Sequence, residues 1–127
     1  MAITITPITA PQNPDLTGRE IVVDGTAVLS GTYGGVNTNG DTLDLTQLRD
    51  LLKSSQLPTK VEVFEDPPSG TAPFFAQFVY CPGTTQANGV LSIALAGVQL
   101  VGGTTYAGQT TDITSAVLRV RAWFPAY

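Results

Sequence analysis

Side chains able to move protons, attack carbonyls or hold metals are scarce in this sequence, and most of those present are carboxylates. There is no histidine and a single cysteine, Cys81. The lack of imidazole removes the commonest general base, the Ser-His-Asp arrangement and most zinc sites. Cys81 has no base to activate it, and its place beside Pro82 at a strand end reads as a buried, inert thiol. Asp41 and Asp44 stand three apart. Asp44 suits the N-cap of a helix, and Asp41, after Asn39-Gly40, suits a turn cap that accepts backbone amides. Together they could hold calcium through hard oxygen ligands, but the run lacks the ligand positions of a calcium loop. Glu62, Glu65, Asp66 and Asp112 read as solvated acids at strand ends. A glycosidase would need two of them across a cleft, and nothing in their spacing asks for that. Gly34-Gly35 and Gly102-Gly103 have no lysine at the phosphate-loop position and read as turns. The expectation is a chain that is not an enzyme, with no catalytic, cofactor or metal residues and with Asp41 and Asp44 as structural caps.

The residues that could bind are aromatic and cationic. Arg119, Arg121 and Trp123 alternate on one strand and so share a face, a contact stripe for a partner. Phe75 and Val79 lie opposite Phe74, Ala76, Phe78 and Tyr80, so that strand is apolar on both sides: it is central, or one side meets another subunit. Ile3, Ile5 and Ile8 lie in a proline-rich segment that can dock along a neighbour. A glycan platform would need an exposed aromatic beside polar loops, such as Tyr106 with Gln109 and Asp112.

These residues need elements to position them. Residues 1–18 form an extended N-terminal arm, in which Pro7, Pro11 and Pro14 interrupt any ladder and Ile3–Thr6 can form a short edge strand. Residues 19–127 form the β-rich domain. Ile21–Val23, Asp24-Gly25 and Thr26–Tyr33 read as a β-hairpin. The spacing of Leu45, Leu48 and Leu52 predicts one short helix over about 45–55, capped by Asp44, with Gln47 completing a capping box. Strands are expected at 60–65, 74–80, 90–95 and 117–124, the last with Leu118, Val120, Ala122 and Phe124 facing the core. Short strands with Gly- and Pro-rich turns predict an all-β fold, a mainly antiparallel sandwich or small barrel.

Composition agrees. The 127 residues suffice for one core, and 13% charged residues leave Thr, Ser, Asn, Gln and Gly to make the polar surface. Net charge is −4, which repels nucleic acid on average. The N-terminus has no basic segment or long apolar core, and no run approaches a membrane span. Synthesis and folding in the cytoplasm are expected, with no membrane partner.

Gly31-Thr32-Tyr33 followed by Gly40-Asp41-Thr42-Leu43-Asp44-Leu45, then Lys60-Val61-Glu62-Val63-Phe64 and a final strand with Val120-Arg121-Ala122, resembles the small capsid decoration proteins of tailed bacteriophages. The resemblance spans about residues 26–124. Asn39 departs from the glycine common there, the loop from Pro67 to Pro73 is this chain's own, and the arm is not part of the match. The resemblance implies a virion structural protein on the capsid surface that binds the major capsid protein and stabilises contacts between capsomers as a homotrimer. A carbohydrate-binding or fibre/adhesin module is the alternative.

Overall fold

The computed structural model describes residues 3–8, 20–34, 40–48 and 56–125. In chain order these form β1 (Ile3–Pro7), β2 (Glu20–Leu29), β3 (Asp41–Leu43), a 3-10 turn (Leu45–Leu48), β4 (Lys60–Glu65), β5 (Gln77–Cys81), β6 (Gly89–Leu95), β7 (Val98–Gln99) and β8 (Val117–Pro125). One antiparallel sheet runs β1-β2-β8-β4; the other runs β3-β6-β5, with β7 also on β6. The fold is all-β, two sheets with one helical turn.

Period-two alternation sets the core. On β8, Leu118, Val120, Ala122 and Phe124 have no exposed surface and meet Leu91 and Ile93 of the facing sheet in one cluster. β8 is central, between β2 and β4, so its alternate row of Val117, Arg119, Arg121 and Trp123 lies on the sheet's outer face.

Several expectations are corrected. Asp24-Gly25 is not a hairpin turn; β2 runs straight through it. Gly25 pairs with Pro7 on one side and Val120 on the other. A Cβ there would stand 2.6 Å from Ile5 Cγ2 and 2.8 Å from Leu48 Cδ2. The glycine serves close packing, and Asp24 serves an ion pair across to Arg121. Ile3 and Ile5 are not free interface residues: they are 0% and 4% exposed in this chain's own core. The ladder with β2 is the cause, because it turns both inward against Leu29 and Ala27. Ile8 extends that edge, its N–H donating to Asp24 O at 3.1 Å. Arm residues 9–18 lie outside the described residues.

Of the helix expected over 45–55, residues 45–48 form a 3-10 turn with Leu45 and Leu48 buried; 49–55 lie outside the described residues. Asp44 does cap this turn, accepting the Thr46 N–H at 2.9 Å. Gln47 does not close a capping box. Its Oε1 accepts the Ile5 N–H at 3.0 Å and its Nε2 donates to Ile3 O at 3.3 Å and Asp44 O at 3.0 Å. The amide group thus stands in for a neighbouring strand along β1. The strand expected at 74–80 starts only at Gln77, because Phe75 takes φ +58° and breaks the extension. Cys81 is exposed, not buried, since β5 is an edge strand and Cys81 shares the outward parity of Val79.

Candidate functional site

Two surfaces gather the residues that could bind. The first is the outer face of the β1-β2-β8-β4 sheet. Register places Val22, Trp123 and Lys60 in one row across it, Asp24, Arg121 and Glu62 in the next, and Thr26, Arg119 and Phe64 in the third. The stripe Arg119, Arg121 and Trp123 therefore exists as one row of side chains along a central strand. Its charges are paired within the chain, although Arg119 Nε is buried with no hydrogen-bond partner among the described residues. Arg121 Nε donates to Asp24 Oδ1 at 2.8 Å, and that bond raises the guanidinium pKa above its ordinary value. Arg119 Nη2 donates to Asp66 Oδ2 at 3.0 Å. Lys60 Nζ lies 3.1 Å from Glu62 Oε1 and 4.8 Å from the centre of the Trp123 ring. Exposed pairs of this kind contribute about 0–1 kcal/mol each, so their main effect is to fix side-chain positions. The paired guanidiniums make a poor phosphate track. The face instead offers Trp and Arg flanked by Phe64 and Val28, which are 39% and 46% exposed. That composition is typical of protein docking surfaces.

The second surface is the seam between β4 and β5. Each of these strands pairs on one side only. Between them lies a groove of about 390 Å³, walled by Val61, Val63, Phe64, Phe78, Tyr80 and Leu91, with Glu62 the one charged residue at its lining. The Tyr80 hydroxyl is a buried polar atom with no hydrogen-bond partner among the described residues, and burial raises its pKa. One end of the seam is tied by Glu65. Parity with Val61 and Val63 turns this acid inward. Its Oε1 and Oε2 each accept a backbone amide, from Phe74 and Ala76, both at 2.8 Å. Glu65 is thus a structural clamp and not the solvated acid expected. Between the clamped amides Phe75 stands in the left-handed region, 79% exposed. Holding a bulky residue there costs on the order of 1–3 kcal/mol. The sequence marked Phe75 as a candidate contact by its parity alone; no residue pattern announced its strained backbone.

The remaining candidates are structural. Asp41 is 4% exposed; its Oδ1 accepts the Gly34 N–H at 3.0 Å and its Oδ2 accepts the Tyr106 hydroxyl. It is a cap, as expected, though for a loop seven residues upstream and for a tyrosine the sequence did not connect to it. Tyr106 is fully buried, edge-to-face with Tyr33 at 5.8 Å. Tyr33 in turn accepts the Ile93 N–H at 3.2 Å and the Gln99 side-chain amide at 2.9 Å. The glycan platform imagined around Tyr106 is therefore corrected: its ring is core. Gln109 is also buried, bonded to Val101 N and O and to Thr104 O. Asp112 is held below the usual carboxylate range by two hydrogen bonds from Thr114. Among the described residues no three His, Cys, Asp or Glu side chains gather as metal ligands, and no helix is long and apolar enough to cross a membrane. Compared with known proteins, the chain matches no family model, no curated protein and no solved structure.

Proposed function

We propose that this chain is a virion structural protein that binds the outer surface of a capsid and stabilises contacts between capsomers, as a homotrimer. The observation that carries this reading is the outer sheet face, where Trp123 sits in one row with Arg119 and Arg121, whose guanidiniums are paired with Asp66 and Asp24. Such a face presents a rigid aromatic and arginine surface without a large desolvation penalty for lone charges. The resemblance of residues 26–124 supplies the partner, the major capsid protein. Repetition over a symmetric shell turns modest contacts into tight retention. The acids that might have served chemistry hold structure instead: Asp41 and Asp44 cap loops, and Glu65 clamps two amides.

The test is co-sedimentation of the purified chain with shells of the major capsid protein from the same source. Truncating residues 1–18 is unsuitable, because it removes β1 and with it Ile3 and Ile5 of the core. Trp123→Thr is the sharper variant: a β-branched residue keeps the strand and removes the anchor. Saturable binding by wild type, weakened about 30-fold or more by W123T, is the expected result. A folded wild-type chain that ignores the shells overturns the reading.

A further inference from the structure

We infer that the loop carrying Phe75 is a self-docking knob, whose ring seats in the β4–β5 groove of a second copy of this chain. The inference deepens the proposed self-association and rests on it; the shell plays no part in it.

Two observations converge. The first is the knob itself. Phe75 is 79% exposed with φ +58°, and the neighbouring amides of Phe74 and Ala76 are both fixed by the Glu65 carboxylate. A strained backbone held by two hydrogen bonds keeps an aromatic ring out in solvent, and strain of this kind marks places where a fixed presentation is used. A backbone already held in place loses little freedom on docking. The second is the groove. Its 390 Å³ has room for a phenyl ring, and Val61, Val63, Phe64 and Phe78 line it beside the polar groups of Glu62 and Tyr80. Glu62, the charged residue of the lining, is met by Lys60 at 3.1 Å, so no lone charge rejects an apolar occupant.

The chain thus carries a knob and a matching groove, and its own ring does not fill its own groove. Each copy gives one knob and one groove, so any closed assembly satisfies every one of them.

The experiment follows the mass of the full chain by light scattering and sedimentation over a concentration series. Wild type is expected to assemble. Phe75→Gly suits the left-handed backbone and removes only the ring; it should raise the dissociation constant about 30-fold or more while the thermal melt is held or improved. Phe64→Glu, which charges the groove mouth, should act alike. An equal mixture of the two variants should recover pairs and stop at pairs, because one competent knob and one competent groove remain. A wild-type chain that stays monomeric at every concentration overturns the inference, as does F75G with wild-type mass. If F64E does not fold, F75G alone decides. Shell binding is scored separately. A wild type that assembles yet ignores shells removes the capsid reading and leaves the knob; one that binds shells as a monomer removes the knob and the trimer and leaves the shell contact.

Discussion

Gly25 and Tyr106 show how single residues carry this fold. At Gly25 the neighbouring strand and the 3-10 turn come so close that a Cβ would meet Ile5, Leu48 and, at 3.1 Å, the Thr6 carbonyl oxygen. Gly25→Ala should therefore destabilise by about 1–3 kcal/mol, the usual cost of overpacking, read as a lower midpoint in chemical denaturation with an unchanged slope. Tyr106 is different, because its role depends on a proton. Burial first, then its bond to Asp41 and the charge of that carboxylate, push the phenol pKa far above its ordinary 10.0. The folded chain keeps this proton at pH values where the unfolded chain releases it. Stability from Tyr106 is therefore complete below pH 10 and is lost as pH rises above it. Tyr80, raised by burial, adds to the same alkaline limb. Tyr106→Phe should cost about 1–3 kcal/mol at neutral pH by leaving Asp41 short of a donor. It should also flatten the loss of stability above pH 10, measured by denaturant titrations at several pH values. An equally steep alkaline limb in Y106F would show that the proton is not held there.

Strand edges are the element-scale problem of a two-sheet fold, and at β1 and β4 a different side chain acts. On β1, Gln47 supplies an acceptor to Ile5 and a donor to Ile3. Gln47→Leu keeps bulk but strips both bonds, and should destabilise by about 1–3 kcal/mol while speeding hydrogen exchange at the Ile5 amide more than at amides of the central β8. An unchanged Ile5 exchange rate would mean the edge is protected by something else. On β4, Glu65 points inward and ties Phe74 and Ala76. These devices explain what the sequence made legible. Alternation alone located β4, β6 and β8, because a strand buried on one face writes its pattern directly into residues such as Leu118, Val120, Ala122 and Phe124. Asp44 was legible as a cap because its partner is two residues away. Gln47 was assigned to a capping box because local spacing cannot reveal a partner 42 residues distant. Asp24-Gly25 looked like a turn for the same reason: what makes Gly25 necessary is Ile5 on another strand. The outer row of Arg119, Arg121 and Trp123 was readable from parity, but their neutralising partners came from β2 and from the residue after β4. The exposure of Phe75 and the burial of Tyr106 are tertiary facts, set by Glu65 and Asp41.

At the scale of the whole molecule the two surfaces should cooperate, and that makes their contributions separable. The outer face is largely made of paired charges and one partly covered Trp, so a single copy's grip on a shell is expected to be modest. If copies are joined through Phe75, the second and later contacts become intramolecular and the assembly gains about 10²–10⁴-fold in retention without any new contact to the shell. The two classes of variant should then fail differently. Trp123→Thr should keep the wild-type assembly and lose affinity at every face. Phe75→Gly should keep an intact face, bind shells as single copies and lose the multiplied part of the affinity, with faster release as the main change. Shell binding followed in real time distinguishes them: W123T assemblies should show weakened binding at all concentrations, whereas F75G should show wild-type association per copy and rapid dissociation. Equal release rates for F75G and wild type would mean that linkage between copies adds nothing to the hold on the shell, and that the outer face alone sets it.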